Sequence, residues 1–411
     1  MKRALRVLAG LGPGIFAVGY TVGTGSVTSM AKAGAESGFG YLWVLALSCI
    51  FSFTLMTAYG RYAAVTGETS LHGMVRHLPG GRVVAALVFL GVVTGQWACL
   101  GGIMALTSGA IKEAFGLGAG ILPIAAVVMS VMFALTLAGR LSVFEKTLAV
   151  LVALMAFAFA VSAVVVWPDA DTLRKAAVPA LPADGASLLM FAAFVGTTMA
   201  APTFVTRPLL VRDRGWGAKD LARERVDAAV SAALMFFVSA AVVAVSTGAL
   251  FAHGRTVDRV LDMAATLEPV AGRGAVAFFM VGVLAAGLSS VFPIMMVAPL
   301  LIGDWRSGEV RTRTPLFRLL CLAAALAGLV VPSLGANPVL VTVAAQISNV
   351  FVLPLTVAAV VWLVNSRSVM REHRAGPLLN ASLAAAFVFS VCVAFAGAKS
   401  LAGFFGCAVQ L

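Results

Sequence analysis

The sequence predicts an all-α polytopic membrane protein of eleven transmembrane helices, and three observations carry that prediction. Hydrophobic residues make up 61% of the chain and charged residues 11%, with a mean hydropathy of +1.02. Soluble domains hold about half apolar and about a quarter charged residues. The apolar residues gather into eleven stretches of roughly 18 residues or more, each long enough to cross a ~30 Å hydrocarbon core at 1.5 Å per residue. Two of these stretches, five spans apart, are interrupted in their middle by glycine or proline. The ten-residue alternation of an outer-membrane barrel is not seen.

In order, the stretches run over about 12–37, 41–64, 83–111, 120–138, 143–167, 186–211, 226–251, 274–302, 316–333, 338–364 and 377–400. The opening MKRALRVLAG is basic and then apolar, as a secretory signal is. GPG at 12–14 interrupts it and no small-x-small cleavage site closes it, so the first helix is expected to be retained. Cys49, Cys99, Cys321, Cys392 and Cys407 lie mostly inside spans, at spacings that fit no metal or disulfide scheme, and read as packing residues. GLGAG at 116–120 has no strand before it and reads as a turn rather than a nucleotide loop.

Charge sets the topology, because Lys and Arg concentrate in short cytoplasmic loops. With the N-terminus in the cytoplasm and the C-terminus outside, most of the 29 lysines and arginines fall on the cytoplasmic side. The expected location is therefore the cytoplasmic (inner or plasma) membrane. The net charge of +12 is then largely a topogenic signal, and the partners are the lipid bilayer and a small substrate, with no nucleic acid. The helices divide into two sets of five, residues 1–167 and 168–364, with an eleventh helix and tail over 365–411.

In this division span 1 corresponds to span 6. Span 1 contains GYTVGTGSVTSMAKAG at 19–34, where Gly23, Thr24, Gly25 and Ser26 are poor helix material. Span 6 contains Thr197-Thr198-Met199-Ala200-Ala201-Pro202-Thr203, and Pro202 cannot donate a helical hydrogen bond. Interrupted spans at corresponding positions of two halves are the sequence mark of a transporter site. Non-helical backbone at that depth is tolerated only against protein or a water-filled cavity. Freed carbonyls, the hydroxyls of Thr24, Ser26, Thr197, Thr198 and Thr203, and the backbone at Gly23, Gly25 and Ala200 are the expected contacts for a solute.

The segment GPGIFAVGYTVGTGSVTSMAKAGAESGFGYLWVLALS resembles the first two helices of the Nramp divalent-metal transporter family. Further matches are GRYAAVTGE at 60–68, GVLAAGLSS at 282–290, QISNVFVLP at 346–354, and NSRSVM followed by Asn380. The resemblance implies a LeuT-like fold, a 5+5 inverted repeat with helices 1 and 6 broken, working by alternating access. Metal-transporting members carry Asp-Pro-Gly-Asn in the first break, where Gly23-Thr24-Gly25-Ser26 stands here. Their second break reads Met-Pro-His-Asn, here Met199-Ala200-Ala201-Pro202, and a second family histidine falls on Thr206. Met199 and Gln346 match positions that line the family's metal site, which makes them weak metal ligands on their own.

The chemistry follows from these departures. No carboxylate of the 17 falls at either break, and His72, His77, His253 and His373 all lie in loops. Span 3, VFLGVVTGQWACLGGIMAL, holds no titratable acid, so the groups of an intramembrane proton relay are missing. The expectation is a carrier for a metal cation that keeps part of its water, Mg rather than Mn or Fe, without proton coupling. Ser289 and Ser290 of span 8 are the candidate site for sodium as a coupling ion. The alternative is a carrier of a small polar organic or anionic solute, possible because Lys32 and Arg207 follow the two breaks. Against it, Lys32 has Glu36 one turn on, and Arg207 is within snorkelling reach of the cytoplasmic side. No nucleophile-base pattern marks an enzyme, and no cofactor is implied.

Overall fold

The computed structural model describes residues 13–137, 141–176, 178–179, 185–254, 260–307 and 314–408. The stretch MKRALRVLAG, on which the expectation of a retained start rested, lies outside the described residues. The first pass is two helices, α1 (Pro13–Thr21) and α2 (Thr24–Ser37). There follow α3 (Leu42–Thr66), the short α4 (Ser70–His77), α5 (Gly81–Ala114), α6 (Ile121–Leu137), α7 (Leu141–Val165) and the short α8 (Ala170–Ala176). The sixth pass is split again, into α9 (Gly185–Thr198) and α10 (Ala201–Asp213). The rest comprises α11 (Leu221–Ala249), α12 (Val260–Ser307), which is two helices joined at a kink where Gly272 leaves the helical conformation (φ 73°, ψ 174°), α13 (Pro315–Leu334), α14 (Pro338–Asn365), the four-residue α15 (Arg367–Met370) and α16 (Pro377–Ala408).

Among the described residues there is no strand. Eight segments, with α9 and α10 counted together, are long and apolar enough to cross a membrane. The shorter apolar helices α6 and α7 and the α1–α2 pair supply the remaining passes, so the expected eleven are all present as helices.

Local sequence sets where these helices start and stop. Gly67, with φ 69°, closes α3 in the left-handed conformation that glycine adopts without a Cβ penalty, its N–H reaching the Ala63 carbonyl. Asn337 opens α14: its side-chain oxygen accepts from the N–H groups of Val339 and Leu340, and Pro338 occupies the first helical position, where a missing N–H costs nothing. Thr314 opens α13 in the same way, accepting from the Phe317 N–H.

Enclosure ranks the helices. In the sixth pass 89% of the most apolar window is buried, against 22% in α16, so the broken helix is at the centre and α16 is peripheral. Leu378, Val388 and Phe395 of α16 are exposed, as a lipid-facing surface requires. The passes α5 and α14 pack against each other along their length, and α14 also meets α9. The two breaks are thus enclosed by α3, α5, α12 and α14.

Candidate substrate site

The first break is two residues wide. Helix α1 ends with the Val22 N–H on the Val18 carbonyl at 2.8 Å, and Gly23 is extended (φ −103°, ψ −177°) as it opens α2. Thr24, Gly25 and Ser26 therefore form the first turn of α2 instead of the unwound tetrapeptide expected. A Cβ on Gly23 would lie 2.1 Å from Ser290 Oγ, so only glycine allows α12 to approach this closely. Ser290 uses that approach to donate to the Gly19 carbonyl at 2.9 Å, a group that a continuous helix would have served.

The second break has the same logic with proline in place of glycine. Ala200 is extended (φ −65°, ψ 115°), and Pro202 sits in the first turn of α10. Lacking an N–H, Pro202 leaves the Thr198 carbonyl without its helical donor. Ser52 of α3 donates to that carbonyl at 3.0 Å. The breaks also bond to each other. Ser26 Oγ hydrogen-bonds both the Thr21 carbonyl and Thr197 Oγ1, and Thr21 Oγ1 lies 3.2 Å from Thr203 Oγ1. The carbonyls at Gly19, Thr21 and Thr198 are thus already engaged by serine hydroxyls, though each keeps a second lone pair.

Between the breaks is a cavity of about 10 Å³, close to the room one water needs. Tyr20, Gly23, Gly25 and Ser26 line it from the first pass, Thr197 and Ala200 from the sixth, and Gln96, Cys99 and Ile103 from α5. Ser290, Ile294 and Gln346 close it. Two larger hollows, of about 630 and 740 Å³, are lined by other residues and touch neither break; the small one is the candidate site because residues beside the breaks of the first and sixth passes form its walls. Among its lining residues there is no carboxylate and no histidine. No group of three or more His, Cys, Asp or Glu gathers anywhere among the described residues.

Of the residues expected from sequence, Gly23, Gly25, Ser26, Thr197, Ala200 and Gln346 line the cavity. Thr198, Met199 and Thr203 do not. Thr198 Oγ1 donates to the Phe194 carbonyl at 3.0 Å, and Met199 is fully buried as a packing residue. The Thr24 side chain lies outside the described residues. Ser290 reaches the first break, whereas Ser289 bonds the Ala286 carbonyl of its own helix at 3.0 Å. Tyr20, Gln96, Cys99, Ile103 and Ile294 were not foreseen. The signal for Gln96 was present, as an amide in an otherwise apolar span. Cys99, expected to be a packing residue, is the one sulfur-bearing residue in the lining.

Neither basic residue that follows a break lines the cavity. Lys32 pairs with Glu36 at 3.8 Å, near the surface. Arg207 is 1% exposed and does not snorkel: its Nη2 meets Glu224 Oε1 at 2.8 Å and Asp227 Oδ2 at 3.0 Å, both carboxylates being equally buried at the start of α11.

Residues 14–398 match the Nramp family, described as natural resistance-associated macrophage protein-like. The chain belongs to the Nramp family. As a member it is a multi-pass membrane transporter. A relative named divalent metal cation transporter MntH, from Aeromonas hydrophila, is 27% identical over 384 residues, 90% of each chain. Another of that name, from Acidiphilium cryptum, is 23% identical and covers 87% of this chain and 83% of its own. A manganese transporter of Eremococcus coleocola superposes with a TM-score of 0.77 at 15% identity, covering 97% of this chain and 88% of that one. A nucleobase-cation-symport-1 family transporter in a closed conformation superposes with a TM-score of 0.61 at 13% identity, covering 95% and 90%. These likenesses support the LeuT-like fold expected of an Nramp protein.

Proposed function

We propose that the protein carries a metal cation by alternating access, and that the cation keeps part of its hydration shell, as Mg does, in preference to Mn or Fe. The observation that carries this reading is the lining of the cavity: hydroxyls, amides, backbone and one thiol, without a carboxylate or imidazole. A bare divalent ion taken from water calls for hard oxygen ligands, usually including a carboxylate. A cation that retains waters needs acceptors for their protons, which neutral oxygens provide. The relatives named for divalent metal supply the substrate class, and the cavity narrows it.

Proton coupling is not part of this reading, because α5 offers Gln96 and Cys99 to the cavity where a relay would need an acid. If an ion is coupled, the reading favours sodium, for which Ser290 and the Gly19 carbonyl that it bonds would be ligands. The anionic-solute alternative loses its cations, since Lys32 and Arg207 are committed to carboxylates. The distribution of Lys and Arg supports the cytoplasmic membrane, with the N-terminus inside and the C-terminus outside.

A thermal-shift series on purified protein tests the assignment. Mg²⁺ is expected to raise the unfolding temperature at millimolar concentration, with Mn²⁺ no more effective. Stabilisation by micromolar Mn²⁺ alone, or by organic anions and not by Mg²⁺, contradicts it.

A further inference from the structure

Four side chains on two facing helices form a one-way hydrogen-bond chain at the wall of the cavity. Gln96 Nε2 of α5 donates to Asn349 Oδ1 of α14 at 2.8 Å, Asn349 Nδ2 donates to Gln346 Oε1 at 3.1 Å, and Gln346 Nε2 donates to Cys99 Sγ at 3.3 Å. All four are at least nine-tenths buried. Gln96, Gln346 and Cys99 line the cavity, whereas Asn349 stands behind them.

The sense of this chain has a chemical consequence. An amide offers one acceptor oxygen and two N–H donors, and Asn349 uses opposite ends of the two glutamines. It takes the N–H of Gln96, so the oxygen left over on the cavity wall is Gln96 Oε1, which receives no hydrogen bond from the described residues. It takes the oxygen of Gln346, so what that residue turns toward the cavity wall is its Nε2. The oxygen of Gln346 is therefore turned toward Asn349, with one of its two lone pairs used there. A hydrated cation presents water protons outward and needs acceptors; a stripped transition metal needs the Gln346 oxygen itself.

We infer that Gln96 is a specificity-determining residue that accepts a proton of the cargo's hydration water, and that Asn349 is the positioning residue that fixes which end of Gln96 and of Gln346 faces the cargo. This rests on the reading of the cavity as the seat of a hydrated cation, and it assigns the selectivity to two residues outside both breaks: Asn349, within the stretch QISNVFVLP, and Gln96, in none of the stretches that resemble the family.

Uptake of Mg²⁺ and Mn²⁺ into liposomes by the full chain tests the inference. Gln96→Leu removes the acceptor and is expected to raise KM for Mg²⁺ about tenfold, the effect of one hydrogen bond to a charged assembly. Gln96→Glu keeps acceptor oxygens at the same place and is expected to leave that KM unraised, which separates loss of the acceptor from disturbance of the fold. In Asn349→Asp the new side chain only accepts, so Gln346 turns its Nε2 to it and presents Oε1 to the cavity. The ratio of Mn²⁺ to Mg²⁺ uptake is then expected to rise about tenfold, and to rise also in Asn349→Leu, which releases the Gln346 oxygen without adding a charge that would itself favour Mn²⁺. An unchanged KM in Gln96→Leu, or a raised KM shared equally by Gln96→Glu, overturns the role of Gln96. An unchanged uptake ratio in Asn349→Asp or in Asn349→Leu overturns that of Asn349. The Gln96 variants are read with whichever divalent cation the wild type carries, so wild-type uptake of Mn²⁺ without Mg²⁺ counts against the substrate assignment while the KM comparison still decides Gln96; Asn349 is then decided by whether its variants lower the KM for Mn²⁺.

Discussion

Ser26, in the first turn after the first break, and Thr197, in the last turn before the second, are hydrogen-bonded to each other, side chain to side chain, across the centre of the molecule. The bond joins α2 to α9 beside a cavity with room for about one water. The structure is therefore closed around this candidate site, and a cargo larger than a water fits only if the walls of the cavity move apart.

Placing a carboxylate at that bond tests what the site lacks. At an effective dielectric near 20, a carboxylate about 4 Å from a unit charge contributes ~4 kcal/mol. Ser26→Asp is expected to create Mn²⁺ binding that the wild type lacks, tighter by orders of magnitude, as read by isothermal titration. Gly23→Asp is a poorer probe, because any Cβ there meets Ser290.

Closure itself depends on one glycine of α9. A Cβ on Gly196 would come within 2.2 Å of the Gln346 carbonyl oxygen, so α9 reaches α14 only without a side chain. Gly196→Ala is expected to favour an opened form. In a background lacking Cys49, Cys321, Cys392 and Cys407, labelling of Cys99 by a small thiol reagent should then speed up about tenfold. An unchanged labelling rate would show that closure does not require this contact.

The buried Arg207 cluster is expected to matter for stability. Removing one partner of a buried ion pair leaves uncompensated charge and costs about 3–5 kcal/mol. Arg207→Leu should lower the unfolding temperature markedly, and adding Glu224→Gln and Asp227→Asn should restore much of the loss, since the triple variant leaves no stranded carboxylate. Thermal unfolding in detergent measures both.

Outside the membrane, Glu68 provides a pH-dependent contribution. Partial burial disfavours its charge, but hydrogen bonds from Tyr62 and His77, each 2.7 Å long, and the neighbouring charges of His77 and Arg76 outweigh that and hold its pKa below the ordinary carboxylate value. A lowered folded-state pKa contributes stability above the unfolded value, and this is lost as pH falls through the folded one. The stability difference between wild type and Glu68→Gln should be present at pH 7 and vanish on acidification past the lowered pKa. A difference that grows as pH falls would contradict this assignment.

The sequence made the helical architecture legible because apolar length is a property of contiguous residues. Both breaks were located because Gly23 and Pro202 act on their own backbone. The wall of the site was read only in part, for a different reason. Gln96, Cys99 and Tyr20 become functional through the side of a regular helix that faces the cavity, and an unbroken apolar helix carries little mark of which side that is. Arg207 was misplaced for a related reason: its partners Glu224 and Asp227 lie at a helix start, where an acid ordinarily reads as solvated. Met199 matched a family position, yet packing took its side chain away from the cavity.

On the proposed function, a cavity without an acid carries a cation without carrying protons. Uptake of Mg²⁺ and Mn²⁺ into liposomes loaded with a pH-sensitive dye tests it directly. The account predicts Mg²⁺ uptake with no accompanying acidification of the lumen; Mn²⁺ uptake accompanied by acidification would contradict it.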